Sequence, residues 1–150
     1  MKRILLYVAI LIGVLAVPLE RTDVADLHPV QTVALYKTAK GYRIETDTDD
    51  AGSGATVAQA FADLLATTPG VIYLDTADYL LISKDEEAAA DEMRSYLKNG
   101  VRLCAAVGEG DLKIVSEFLS VQGDIPYLRD WELGDRLPVL DCREERIKFM

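Results

Sequence analysis

Short apolar runs alternate with helix-forming segments from residue 30 to residue 141, and this alternation leaves few architectures open to the chain. Val30–Tyr36 and Tyr42–Asp47 have the composition and period of strands, and the turn at Thr38–Gly41 joins them in an antiparallel hairpin. The run Val71–Leu74 fits either a strand or a helical turn. Further strands are predicted over Tyr79–Ile82, Val101–Val107 and Leu137–Asp141.

Amphipathic helices are predicted between these strands. Two of them open on capping boxes, formed by Thr56 with Gln59 and by Ser83 with Glu86. The element order is therefore β-β-α-β-α-β-α-β, preceded by an N-terminal hydrophobic helix. We expect an α/β domain, bordering on the α+β class, with a single mixed sheet and flanking helices. The predicted helices run from Thr56 to Pro69-Gly70, from Ser83 to Lys98 and from about Asp111 to Val121.

Residues 1–19 differ in composition from the rest of the chain. Lys2 and Arg3 precede fourteen residues without a charge, Ile4–Val17. A helix of that length spans about 21 Å, against about 30 Å of hydrocarbon in a bilayer. We expect either a signal peptide cleaved near Ala16 or an uncleaved N-terminal membrane anchor. Residues 20–29 are then a tether and residues 30–150 an exported globular domain, at the extracytoplasmic face of the cell membrane or secreted.

The acidic composition argues against nucleic acid as a partner. The chain carries 25 Asp and Glu residues against 16 Lys and Arg residues, a net charge of −9, and would be repelled by a phosphate backbone. A single histidine and two cysteines exclude a zinc finger and most histidine-rich metal sites. No metal or cofactor is predicted.

A loop is predicted over residues 47–54, and it holds two weak ligand-binding patterns. Asp47–Gly52 resembles the start of an EF-hand loop, but Ala58 occupies the position of the bidentate Glu. The stretch Gly52–Gly54 precedes a helix, yet it lacks the Lys of a phosphate-binding loop. A solvated acidic loop and a flexible entry to the helix are the favoured interpretations.

Asp75, Asp78 and His28 are weak candidates for catalysis. Paired carboxylates such as Asp75 and Asp78 act in acid–base catalysis when one of them is buried in a shared cleft. His28 would need a Ser or Cys beside it in a pocket to act as a base. We favour ordinary roles at a chain bend and in the tether, and we predict no catalytic residue.

Cys104 lies in a predicted strand and Cys142 lies near the C-terminus. In an exported chain two cysteines can form a disulfide. Closing that loop would stabilise the fold by about 4 kcal/mol in the chain-entropy model. A Cys104–Cys142 disulfide and two separate buried thiols both remain open.

Two stretches carry a family resemblance. Residues 54–64 read Gly-Ala-Thr-Val-Ala-Gln-Ala-Phe-Ala-Asp-Leu, and residues 69–83 read Pro-Gly-Val-Ile-Tyr-Leu-Asp-Thr-Ala-Asp-Tyr-Leu-Leu-Ile-Ser. With the hairpin before them and the later helices, residues 24–121 resemble the N-terminal domain of the Ger(x)C-type spore-germination lipoproteins. The first cysteine here is Cys104, so no cysteine stands where that family has its lipobox, and we expect neither its lipid anchor nor its later domains. The resemblance implies a membrane-associated accessory protein, without catalytic residues, that works with integral membrane partners.

We therefore expect a non-enzymatic accessory protein of a Gram-positive-type cell envelope, acting by contact with an integral membrane protein. Aromatic side chains dominate the energetics of such contacts. The candidate interaction surface is formed by Tyr73, Tyr79, Tyr127 and Trp131. The alternatives are a small secreted hydrolase that uses carboxylates, and a ligand- or ion-binding module built on the acidic loop.

Overall fold

A computed structural model of the chain describes residues 27–143 and 147–150. The predicted signal peptide or anchor at residues 1–19 lies outside these residues, as does most of the predicted tether. Among the helices of the described ranges, none combines the length and the apolar character needed to cross a membrane.

Nine strands and three helices make up the described domain. Seven of the strands form one mixed sheet with helices packed against it, which confirms the predicted α/β class. The strands are β1 (Leu27–Pro29), β2 (Thr32–Thr38), β3 (Gly41–Thr46), β4 (Ala51–Gly54), β5 (Val71–Tyr73), β6 (Tyr79–Ser83), β7 (Arg102–Val107), β8 (Val139–Asp141) and β9 (Lys148–Phe149). The helices are α1 (Val57–Thr67), α2 (Ala89–Met93) and α3 (Leu112–Ser120).

The order of strands across the main sheet is β4-β3-β2-β6-β7-β8-β9. Strands β2, β6, β7 and β8 run parallel to one another, with Val33 opposite Leu80 and Leu80 opposite Leu103. The pairs β2–β3, β3–β4 and β8–β9 are antiparallel. The predicted hairpin is confirmed, because β2 turns directly into β3. The remaining strands, β1 and β5, form a separate parallel pair.

The central parallel strands are buried on both faces, which explains why their sequences are almost continuously apolar. On one face Leu35, Leu80 and Ile82 pack in a cluster with the apolar sides of α1 and α2. On the other face Leu81 and Cys104 pack in a second cluster with the apolar side of α3. The result is a three-layer domain with helices on both sides of one sheet.

The second helix is much shorter than the predicted Ser83–Lys98. Ser83 is the last residue of β6, and its hydroxyl accepts a hydrogen bond from the Lys37 backbone N–H at 3.1 Å instead of capping a helix. Glu86 accepts a hydrogen bond from the Tyr42 hydroxyl at 3.2 Å and lies 3.6 Å from the Lys37 ammonium. Both residues of the expected capping box therefore bond to the β2–β3 hairpin, and α2 covers only Ala89–Met93.

The prediction of a flexible loop through Gly54 is wrong, because Ala51–Gly54 forms β4 and pairs with β3. Helix α1 lies so close to β4 that a Cβ atom on Gly52 would overlap the backbone N of Leu64 and the carbonyl O of Ala60. The glycines therefore permit close helix packing. Gly-Ser-Gly is also the composition of a flexible loop, so the sequence alone predicted a loop where β4 forms.

Side chains of α1 also satisfy the outer edge of β4. The Ser53 backbone N–H donates to the Asp63 carboxylate at 2.9 Å, and the Thr67 hydroxyl donates to the Ala51 carbonyl at 3.2 Å. An edge strand with open backbone groups invites pairing with another chain. Here the helix itself covers part of that edge.

Two more short strands, β1 and β9, were not predicted, and a third, β5, was one of two open alternatives. β1 occupies Leu27–Pro29, which the sequence analysis assigned to the tether, and it pairs with β5. The open alternative at residues 71–74 resolves into β5 followed by a 3-10 turn over Leu74–Thr76. The predicted last strand is present as β8, and β9 follows it. Strands of two or three residues are too short to give a periodic signal.

We predict that Gly52→Ala lowers the free energy of unfolding by about 3 kcal/mol, at the upper end of the range for overpacking, because the new methyl group meets backbone atoms that cannot rotate away. Gly123→Ala is the matched control, since a Cβ there meets nothing within 4 Å. Its effect should stay within about 0.5 kcal/mol. Urea denaturation of the purified variants measures both values. Equal stabilities would contradict the close contact between α1 and β4.

Candidate functional site

Three of the predicted site residues, Tyr73, Tyr79 and Tyr127, lie near the amino ends of the central parallel strands. Backbone hydrogen bonds continue the sheet past these ends, since the N–H of Asp78 donates to Gln31 O and the N–H of Arg102 donates to Asp78 O, each at 2.8 Å. On the far side of β7 the Leu103 N–H donates to Pro126 O at 2.8 Å. This last bond holds Tyr127 beside Arg102 as an antiparallel bridge.

Four side chains alternate along this edge, and we call them the Tyr–Arg ladder: Tyr79, Arg102, Tyr127 and Arg129. The Arg102 guanidinium carbon lies 5.9 Å from the ring centre of Tyr79 and 5.7 Å from that of Tyr127. The Arg129 guanidinium carbon lies 5.4 Å from the Tyr127 ring centre. Distances within about 6 Å allow attraction between a cation and an aromatic ring.

The segment that carries Tyr127 and Arg129 is held in place by Arg94, the residue directly after α2. The Arg94 guanidinium donates hydrogen bonds to the carbonyl oxygens of Arg129, at 3.4 Å, and of Trp131. Arg94 also lies 3.1 Å from the Asp91 carboxylate. The ladder is therefore supported by bonds to the main chain and does not depend on exposed side chains alone.

Two of the four aromatic residues predicted to form an interaction surface are exposed. Tyr73 is 42% exposed and Tyr127 is 38% exposed. Trp131 and Tyr79 are buried, so the prediction that they form an exposed surface is wrong. Tyr79 contributes to the ladder only through its contact with Arg102. Trp131 packs in the core on the α1 and α2 side of the sheet, and its indole N–H donates to the Asp135 carbonyl at 3.3 Å. Large aromatic side chains are found both in the core and on the surface, so their presence in the sequence did not predict which of them are exposed.

Sequence analysis missed both arginines of the ladder. Arg102 falls in a strand whose alternate residues are apolar, and Arg129 follows Tyr127 in a segment without a clear period. Only the register of β7 with residues 126–128 brings them to the same tyrosine ring. No local sequence signal predicts that pairing.

The charges at this edge are unevenly paired. Lys98 lies 3.3 Å from the Asp78 carboxylate, and Arg129 lies 3.2 Å from that of Asp130. Arg102 has no carboxylate within 4 Å in residues 27–143 and 147–150. A polar contact with Tyr127 raises the pKa of the Arg102 guanidinium above its usual value, so the group is charged at all relevant pH values.

The predicted carboxylate pair is not buried. Asp75 lies in the exposed 3-10 turn after β5, and the Asp78 side chain is 55% exposed and paired with Lys98. A pair suited to acid–base catalysis needs a buried member. The geometry therefore gives the hydrolase alternative no support at these two residues.

The acidic loop residues bond to the domain itself. Asp47 accepts hydrogen bonds from the backbone N–H groups of Gln31 and Thr32, at 3.0 and 3.2 Å, and Asp49 lies 2.6 Å from the Lys113 ammonium. Burial tends to raise the pKa of Asp50, but hydrogen bonds with Thr48 and His28 lower it overall. Within the described ranges no group of three or more acidic, His or Cys side chains is arranged for a metal ion.

His28 also has a structural partner. It lies in β1, and its Nδ1 is 3.0 Å from the Asp50 Oδ2 atom, in the turn between β3 and β4. This contact joins the start of the described chain to the amino end of the sheet. The histidine is thus positioned by a carboxylate and not beside a nucleophile.

A groove of about 460 Å³ lies at the opposite, carboxyl end of β6 and β7, where α/β domains commonly bind ligands. Ser83, Lys84, Gly108 and Arg143 are among its lining residues. The Arg143 guanidinium is bidentate to Asp141, with both N–O distances at 2.9 Å, and this pair lowers the pKa of Asp141 to about 2. The Ser83 hydroxyl bonds to the β2–β3 hairpin and Arg143 pairs with Asp141, so both of these polar groups of the groove already have partners within the fold.

Cys104 and Cys142 are both buried and free. Ala106 of β7 is opposite Leu140 of β8, so the two cysteines are offset by four residues along neighbouring parallel strands, about 13 Å. A disulfide needs Cα atoms within about 7 Å. Of the two alternatives left open by the sequence, the structure has the separate buried thiols.

No known protein family, curated protein or solved structure matches this chain.

We predict that the native protein contains two thiols that do not react with Ellman's reagent at pH 8. Burial raises the pKa of Cys104 to about 12 and that of Cys142 to about 11, so both are protonated and inaccessible. Unfolding in urea should release two thiols per chain, and one in Cys104→Ser. Absence of any thiol after unfolding without reductant would reveal a disulfide and contradict the structure.

A second prediction separates a structural role of the acidic loop from ion binding. Asp47→Asn should lower the unfolding free energy by about 1.5 kcal/mol, because a charged acceptor of two backbone N–H groups is lost. Asp49→Asn, the matched control, removes an exposed ion pair and should cost less than about 0.5 kcal/mol. Thermal unfolding with and without calcium completes the test. A calcium-dependent rise in the Tm of the unmodified protein would contradict the structural role.

Proposed function

We propose that this protein is a non-enzymatic accessory protein of the cell envelope, held at the outer face of the membrane by residues 1–19. It acts by contact with an integral membrane protein through the surface at the amino ends of β6 and β7, which carries the Tyr–Arg ladder and Tyr73 and which we call the amino-end surface. The exposed Tyr127 and the Arg102 guanidinium form the centre of that contact. The position of the ladder relative to the start of the described chain is the observation that carries this proposal.

The short segment between the hydrophobic residues 1–19 and β1 limits how far the amino-end surface can lie from the membrane. The first described strand, β1, is joined to this end of the sheet by the His28–Asp50 contact and by the bond from the Val30 N–H to the Tyr73 carbonyl. Seven residues, 20–26, separate β1 from the hydrophobic segment. Seven extended residues reach at most about 25 Å. A membrane anchor at residues 1–19 therefore keeps this end of the sheet close to the bilayer.

The ladder has the composition of a contact surface. Tyrosine and arginine are enriched among residues that dominate the energetics of interfaces. Tyr127 is exposed and flanked by two guanidinium groups, and Tyr73 is exposed at the same end of the sheet. The net charge of −9 disfavours lying directly on an anionic bilayer, so a protein partner within the membrane is the better occupant.

The resemblance to the Ger(x)C-type N-terminal domain supports the same class of function. That family works at the membrane with integral membrane partners and without catalysis. In this chain a hydrophobic segment would replace the lipid anchor. A role in germination is the narrowest form of the proposal, and the contact at the amino-end surface does not require it.

Site-specific photocrosslinking in the native host tests the proposal. The full-length protein, tagged at the C-terminus, carries a photoreactive amino acid in place of Asp130, an exposed residue next to the ladder. Irradiation should give an adduct with a polytopic membrane protein, in the membrane fraction and at near full-length mass. The same amino acid in place of Lys84, exposed at the carboxyl end of β6, is the control and should give no such adduct.

The opposite result would be a protein in the culture medium, shortened at the N-terminus to a point near Ala16, with no adduct from either position. It would remove the anchored accessory protein and bring forward the secreted alternatives. Adducts of equal yield from both positions would contradict the assignment of the contact to the amino-end surface.

A further inference from the structure

We propose that the Tyr–Arg ladder recognises a carboxylate. Arg102 receives an acidic side chain from a segment of the membrane partner, and Tyr127 packs against the apolar part of the same segment. This inference rests on the proposed function and specifies the chemistry of the partner at that surface.

The geometry of Arg102 suits it to bind a planar anion. Its guanidinium carbon lies within 6 Å of two tyrosine ring centres, 5.9 Å from that of Tyr79 and 5.7 Å from that of Tyr127. Contact with two rings restricts the long side chain before any partner arrives, so less conformational entropy is lost on binding. A guanidinium offers two parallel N–H donors to a carboxylate, and such bidentate bonds are among the strongest polar contacts in proteins.

Arg102 differs from the arginines whose charge is already compensated. Arg43 contacts Glu45 and Glu109, Arg94 contacts Asp91, and Arg143 contacts Asp141. In the two described ranges no carboxylate approaches Arg102 within 4 Å, and its close neighbours are aromatic rings. Its half-buried position strengthens any new ion pair relative to one in open solvent.

The local charge complements an acidic partner. Around the ladder Lys98, Arg102 and Arg129 outnumber the acidic residues paired with them, Asp78 and Asp130, whereas the acidic residues within 47–50 lie beyond β2 at the β3–β4 turn. The protein as a whole carries a net charge of −9. A positive spot on an acidic molecule selects for a local negative group and repels a broad anionic surface. A single carboxylate on a protein segment fits this pattern better than a lipid headgroup in an anionic bilayer.

The test uses the photoreactive amino acid at position 130 in three full-length proteins that keep Arg102 or carry Arg102→Lys or Arg102→Gln. Loss of the guanidinium in Arg102→Gln should lower the adduct yield by at least about ten-fold, as expected for a central contact. Arg102→Lys keeps the charge but loses the two-pronged geometry, so an intermediate loss is expected. The Tm of each variant shows whether a loss of adduct reflects unfolding.

Mass spectrometry of the adduct identifies the partner segment, which should contain an Asp or Glu near the crosslinked position. Replacing that residue with Lys in the partner should abolish the adduct, and combining it with Arg102→Glu should restore it. A yield in folded Arg102→Gln within about two-fold of the original would overturn the carboxylate inference and remove Arg102 from the centre of the contact, while the accessory role and its contact through the amino-end surface stood. An adduct with phospholipid would overturn it in favour of a headgroup, and no adduct in any protein would overturn the proposed function itself.

Discussion

Burial of β2, β6 and β7 on both faces is the constraint on which the rest of the structure depends. Such strands are stable only with helices on each side, and α1, α2 and α3 provide them. The parallel strands also share a direction, so their amino ends lie at one edge of the domain. The Tyr–Arg ladder and the start of β1 meet at that edge because of the same arrangement.

The sequence predicted those elements that are determined by residues close together in the chain. The hairpin, α1 and α3 followed from strand period, from Thr56 at the start of one helix and from apolar spacing in the other. The sequence could not predict β4, because Gly52 and Gly54 have the composition of a loop and reveal their role only against α1. Ser83 and Glu86 satisfied a capping pattern but bond to the hairpin, a choice made by tertiary contacts.

The candidate site was predictable only in part for the same reason. Tyr73 and Tyr127 are exposed as a contact surface requires, whereas Trp131 contributes to the core. Arg102 and Arg129 became part of the surface through pairing of β7 with residues 126–128, which are more than twenty residues away in sequence. In the acidic loop the carboxylates resemble ion ligands in the sequence. In the fold Asp47 accepts a backbone hydrogen bond and Asp49 forms an ion pair with Lys113.

The central claim is that the amino-end surface faces a membrane partner and the carboxyl end faces away. Accessibility of two introduced cysteines tests it most directly, because both native thiols are buried. In intact cells a membrane-impermeant maleimide should label Lys84→Cys but not Asp130→Cys, and detergent extraction that releases the partner should expose Asp130→Cys to the reagent. Equal labelling of the two positions in intact cells would contradict the claim.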